Sequence, residues 1–295
     1  MISSERARGV VSLIALALGF GAIALFGRFL GDYSFTPLPQ LYLAYGVGFI
    51  VSLFLFGRTL SVSRLTKLSQ RDWLIMFSRV IIGYLIGGSL YRASLVLTKI
   101  SNVTFIQSIP VAAIFGFVLF KEKFTVSKAL LLVLSYVGVI IISVKDYSSI
   151  LSVGKGELFS LISAVLFSFS YVARKWQSDS LNDGEISQIL LFLGFVILLG
   201  VSLLTGETLP RENFSLGVAG AIFVSGFLNA TNIFLINYGF RRVEAVLASN
   251  ILTIEAVFAL ILALVFYHEF PSLIELAGGI LILGSVIQMN RLERS

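Results

Sequence analysis

The sequence predicts an all-α integral membrane protein: ten transmembrane helices arranged as two inverted five-helix repeats, with both termini cytoplasmic. Three observations lead there. Of 295 residues, 57% are hydrophobic and 13% charged, at a mean hydropathy of +0.96, against about 25% charged in a soluble domain. Apolar runs able to cross a ~30 Å hydrocarbon core as helices recur along the whole chain. Short motifs also return at a nearly constant offset, so that the second half echoes the first.

The spans read as residues 10–29, 39–57, 72–91, 101–120, 125–144, 156–176, 186–204, 214–238, 246–266 and 271–289, the third being able to continue past Arg92 toward Thr98. The first run follows Glu5, Arg6 and Arg8 as a signal peptide would. No small-x-small triplet in it makes a convincing cleavage site and similar runs follow, so it reads as a retained span. Connections are short. Residues 32–39 hold Pro37 and Pro39, 58–71 are the longest and most basic, and 179–185 and 206–213 are polar and turn-rich. Residues 121–124 are barely a turn, which makes spans four and five an antiparallel hairpin. None of these connections can hold a soluble domain, so the chemistry lies within or across the bilayer.

Charge and composition narrow the partners. There is no Cys and one His, His268, which rules out disulfides, thiolate sites and a His/Cys metal cluster; no cofactor or metal is expected. The net charge of +6 comes from residues flanking apolar runs, which implies a lipid bilayer rather than nucleic acid as neighbour. With the N-terminus inside, the inner segments carry fifteen of the 22 Lys and Arg; the outer segments carry six, Arg92 among them, and Arg79 lies within a span. That asymmetry orients both termini to the cytoplasm, as expected for the plasma (inner) membrane.

The clearest repeat lies in residues 245–270, AVLASNILTIEAVFALILALVFYHEF, with Glu255 near the middle and Glu269 closing the run. Residues 98–124 carry its echo, closing on Glu122, with Pro110 about where Ala256 sits later. Arg28 pairs with Arg174, Tyr91 with Tyr238, Glu122 with Glu269 and Gly138 with Gly284, at offsets of 146 or 147. The repeats are expected at 1–149 and 150–295, packed as one bundle. Five spans per copy is odd, so the second copy enters from the opposite side, the plan of alternating-access carriers with a midplane site.

With these motifs on the page, the chain resembles the ten-helix drug/metabolite transporter superfamily in its EamA-like branch. The resemblance rests on Ser108-Ile109-Pro110 through Lys121-Glu122 then Gly138, on Ile254-Glu255-Ala256 through His268-Glu269 then Gly278, Gly279 and Gly284, and on Tyr91-Arg92-Ala93-Ser94-Leu95. Ala256 departs from the proline common at that place. The resemblance implies a cavity lined by helices one, three, four, six, eight and nine, with five and ten peripheral. It also implies cargo among amino acids, other small metabolites, nucleotide-linked sugars or cationic drugs.

The residues with chemistry to offer are few. Arg79, the basic residue well inside a span, reads either as a clamp for a carboxylate or phosphate, or as a snorkelling residue near the inner interface. Glu255 has three open roles: pairing with a cationic group of the cargo, taking up a proton, or locking helix nine structurally. Tyr84, Gln107, Asn229, Asn232, Tyr238 and Asn250 add polar groups for a wet cavity, although interhelical hydrogen bonding accounts for about half of such residues. Glu122, Glu269 and Pro110 read as helix-end structure, the glutamates capping the next helix. Glycine pairs such as Gly83 with Gly87 read as close helix contacts.

Three function classes remain. A secondary carrier of a small polar metabolite, an amino acid or related compound and an exporter rather than an importer, fits the repeats and the absence of a nucleotide-binding loop. Arg79 and Glu255 are then expected to receive the two ends of a zwitterion. A nucleotide-linked sugar or cationic drug carrier is the runner-up, and a channel or structural subunit is remote. An intramembrane enzyme would need a catalytic set that the spans lack, because every Asp lies at or near a span end. Proton coupling and the choice of monomer or homodimer stay open.

Overall fold

The computed structural model describes residues 4–57, 62–121, 125–143, 154–207, 209–210 and 213–294. They form an all-helical bundle. In chain order the helices are α1 (Ser4–Asp32), α2 (Pro37–Phe56), α3 (Gln70–Leu97), α4 (Ile100–Phe120), α5 (Val126–Ser143), α6 (Lys155–Trp176), α7 (Asp183–Thr205), α8 (Leu216–Arg242), α9 (Ala245–Tyr267) and α10 (Leu273–Arg294). A single turn, Val62–Leu65, precedes α3. Eight of these are long and apolar enough to cross a membrane; α5 and α10 carry shorter apolar windows, Val126–Gly138 and Leu273–Ser285. Large side chains such as Phe54, Leu204 and Leu216 are exposed on the outer surface, where lipid rather than water makes the exposure favourable. The protein is a multi-pass membrane protein.

Local sequence explains the helix ends. Pro37 opens α2, where its missing N–H is no loss. Ser69 caps α3 by accepting from Asp72 N at 3.1 Å. Asn182 and Glu185 form a reciprocal capping box on α7, which ends at Gly206 with φ +70°. The ends of α4 and α9 repeat each other in geometry. Lys121 (φ 54°) and His268 (φ 52°) are both left-handed, and their N–H groups donate to Gly116 O and Ala263 O respectively. Each falls 147 residues from its counterpart.

Helix packing shows the same internal pairing. α5 packs against α10 and α2 against α7; α1 meets α8 as α6 meets α3, and α1 meets α9 as α6 meets α4. The start of α1 and the end of α6 lie on one face of the bundle. Glu5 pairs with Arg242 at 2.7 Å, Arg242 with Asp183 at 2.7 Å and Arg174 with Asp183 at 2.9 Å. At the other face, Arg28 near the end of α1 donates to Leu95 O and Thr98 O, and Thr98 donates to Glu157 at the start of α6. So α1 and α6 run in opposite senses.

Small residues let the pairs approach. A Cβ on Gly83 would lie 2.5 Å from Ser170 Cβ, and one on Gly138 would lie 2.6 Å from Gly278 O. Gly138 thus meets Gly278 rather than its sequence counterpart Gly284, and Ser135 and Ser285 bond across the same contact at 2.9 Å.

Candidate functional site

Two helices are interrupted in the bundle interior. In α4 the helix stops after Gln107 and resumes at Val111, with Ser108, Ile109 and Pro110 between. Proline lacks the N–H that would continue the ladder and disfavours helix at the residue before it. In α9 the interruption is milder: Thr253 separates two helical segments at φ −62° and ψ −17°, and Ala256 N donates to Thr253 O. α3 carries a third irregularity, a π-helical stretch over Arg79–Gly87. Such wide turns are rare and concentrate at functional positions.

A cavity of about 90 Å³ lies among these irregularities. Residues of α1, α2, α3, α4, α6, α8 and α9 line it, which is the set implied by the family resemblance plus α2, through Tyr45. Ser108 and Ile109 of the α4 break face it, as do Leu252 and Glu255 beside the α9 break. Aromatic rings pack around it in two groups. Phe20 stacks on Tyr171 and Tyr171 on Phe167, each at 5.9 Å, Tyr91 meets Phe167 edge-on, and Tyr45 stacks on Tyr84 at 5.4 Å.

Of the residues singled out from sequence, Tyr84, Gln107, Asn229, Asn232 and Glu255 line this cavity together. Gln107 Nε2 donates to Ser160 O at 3.0 Å and Asn229 Nδ2 to Ser225 O at 2.8 Å. Asn232 Nδ2 is buried without an acceptor. Glu255 is 8% exposed, and among the described residues no hydrogen bond or ion pair reaches its carboxylate. The structural lock on helix nine that the sequence left open for it is therefore not made by any described residue.

Two expected residues, Arg79 and Tyr238, lie elsewhere. Arg79 is fully buried but outside the cavity lining. Its Nε, Nη1 and Nη2 donate to Ser170 O, Gln177 Oε1 and Asn237 Oδ1 at 2.8, 2.7 and 2.8 Å. The guanidinium ties α3, α6 and α8 together, so it neither snorkels nor lines this cavity. Tyr238 sits under Arg242, whose guanidinium carbon is 3.5 Å from the ring centre. Asn250 belongs to α9 by its backbone, and its side chain lies outside the described residues.

The helix-end residues also have definite places. Glu269 caps not the next helix but the start of α4, accepting from Ile100 N at 2.7 Å. The start of α10 is capped by Ser272 and Glu275 bonding reciprocally. Pro110 opens the second segment of α4. Glu122 lies outside the described residues.

The residue that sequence reasoning missed is Arg92. Assigned to an outer segment, it is instead in the body of α3, 2% exposed, and lines the cavity. The legible signal was the apolar run continuing past it to Leu97. Its Nη1 reaches Ile23 O at 3.4 Å, and Nε has no partner. The guanidinium lies across Gly27 of α1, where a Cβ would collide with Nη1.

Comparison with known proteins agrees with this architecture. A search of curated proteins gives no match. A solved structure described as "Crystal structure of protein" superposes with a TM-score of 0.73 at 16% identity, covering 98% of this chain and 99% of that one, which establishes the shared fold. The family model of the EamA-like transporters matches twice, over residues 7–144 and 154–291. Matched over both halves, the chain belongs to the EamA-like transporter family of the drug/metabolite transporter superfamily.

Proposed function

We propose that the protein is a secondary carrier that moves a small polar metabolite, an amino acid or related compound, by alternating access between two inverted five-helix repeats, residues 1–149 and 150–295. The observation that carries the reading is the cavity at the α4 and α9 interruptions, lined from both halves and holding an unpaired carboxylate, Glu255. Broken helices at an inter-repeat site are how carriers free backbone groups for cargo and supply hinges. The opposed senses of α1 and α6 support full membrane crossing by α5, and the packing of α10 against α5 supports the same for α10, for ten spans in all. The charge asymmetry supports a cell (inner) membrane location with both termini on the cytoplasmic side.

In this mechanism Glu255 holds a cationic group of the cargo or carries a proton, and the aromatic walls contact its apolar parts. The ion pairs joining Glu5, Arg242, Asp183 and Arg174 form the contact that must part when the cytoplasmic side opens. A nucleotide-linked sugar is a poorer fit, because Arg92 is the one basic residue among the described cavity lining. Export rather than uptake is proposed on the resemblance alone, and net flux from cells loaded with a labelled amino acid tests it.

Reconstitution into liposomes tests the carrier reading. Saturable uptake accelerated by cargo on the far side is expected, and linear, non-saturating flux would overturn it. A pH change coupled to cargo movement, lost in Glu255→Gln, is the outcome expected of a proton carrier; its absence leaves Glu255 the cation-binding role.

A further inference from the structure

Among the described residues, every other deeply buried arginine is already engaged. Arg79 meets three acceptors, and Arg174 meets Asp183. Arg92 differs. It has one long bond to a backbone carbonyl and no carboxylate partner among the described residues. A guanidinium carries five N–H donors, and an uncompensated charge at membrane depth is costly. The guanidinium rests in the gap left by Gly27. A group of opposite charge that visits the cavity accounts for it.

Glu255 is the complementary case: an unpaired carboxylate lining the same cavity, with the rings of Tyr91, Phe167 and Tyr171 also in the wall. A protein needing only a neutral site would let these two charges meet, yet no ion pair joins them among the described residues. The cavity volume of about 90 Å³ is well below the roughly 300–1,000 Å³ of pockets for drug-sized ligands.

We propose that Arg92 is the anion-binding pole of the cargo site, taking a carboxylate by a forked pair of N–H bonds, and that Glu255 is the cation-binding pole for an ammonium on the same small molecule. The site is then selective for zwitterions of the amino-acid class, and Gly27 is the residue that makes room for the guanidinium. This rests on the carrier reading and names the cargo class for that same cavity.

Equilibrium binding to the purified full-length protein tests it, using the proteinogenic L-amino acids as probes. Each binder is repeated as its amide, which lacks the carboxylate, and as its deaminated acid, which lacks the ammonium. The wild type should prefer the amino acid over both analogues by about tenfold or more, since a site built for a charge-assisted bond leaves its own charge unpaired with the analogue. Arg92→Gln should abolish the preference over the amide alone, and Glu255→Gln the preference over the deaminated acid alone. Arg92→Lys, which keeps the charge but loses the fork, should retain part of the preference over the amide. Gly27→Ala, which leaves Arg92 in the chain but displaces it, should weaken amino-acid binding several-fold and so covers the case in which Arg92→Gln does not fold. Unchanged preference over the amide in Arg92→Gln overturns the assignment. So does saturable liposome flux of some uncharged solute with no amino acid bound, an outcome that leaves the carrier reading standing.

Discussion

Replacing Arg79 by methionine separates a structural tie from a cargo clamp. The substitution keeps an unbranched apolar stem but removes the donors to Ser170 O, Gln177 Oε1 and Asn237 Oδ1. These acceptors lie on α6, just beyond its end and on α8, so three helices lose one shared anchor. Interhelical hydrogen bonds in membrane proteins average about 0.6 kcal/mol and reach about 1.7. Three of them give roughly 2 to 5 kcal/mol, and the acceptors left unsatisfied in the interior favour the upper half of that range. Asn237 would keep its bond to Ser187 Oγ at 2.9 Å, which limits the loss on α8. We expect Arg79→Met to lower unfolding free energy in detergent by about 3 kcal/mol, with the residual folded protein binding its cargo normally. A loss below about 0.5 kcal/mol, the range of an ordinary surface substitution, together with abolished binding, would refute the tie and return Arg79 to the cargo.

Lys121 and His268 hold left-handed backbone that glycine adopts without penalty. Lys121→Gly and His268→Gly are therefore expected to raise stability by up to about 1 kcal/mol each, read from denaturant unfolding; a loss in both would show that their side chains matter more than the strain. Asp183→Ala strips the buried Arg174 of its counter-ion and should cost about 3–5 kcal/mol, a cost that unfolding below 1 kcal/mol from wild type would disprove. The chain has no native cysteine, so single cysteines report topology directly. Ser34→Cys should react with an impermeant maleimide on intact cells and Ser180→Cys only after permeabilisation, and the reverse pattern would invert the proposed orientation.

Much of the architecture was legible because hydropathy and repeat spacing are local properties of the chain. The helices fall where the apolar runs fall, and the echo of residues 98–124 in 245–270 reappears as two helices ending in the same left-handed turn. The interruption at Pro110 was readable from the missing N–H. The one at Thr253 was not, because no residue there forbids helix, and the irregularity falls three residues before the position aligned with the proline.

What the sequence by itself determined is a helical, multi-span membrane protein written twice, with scarce intramembrane charges that must each have a reason. Which reason belongs to which charge was decided by tertiary structure. Arg79 and Arg92 are both basic residues on α3, thirteen positions apart, and composition ranked the first above the second. Packing tells them apart: Arg79 meets backbone and amide acceptors on α6 and α8, whereas Arg92 lines the cavity with most of its donors free. A side chain's partners come from helices remote in the chain, and a local pattern cannot encode how those helices rotate against each other.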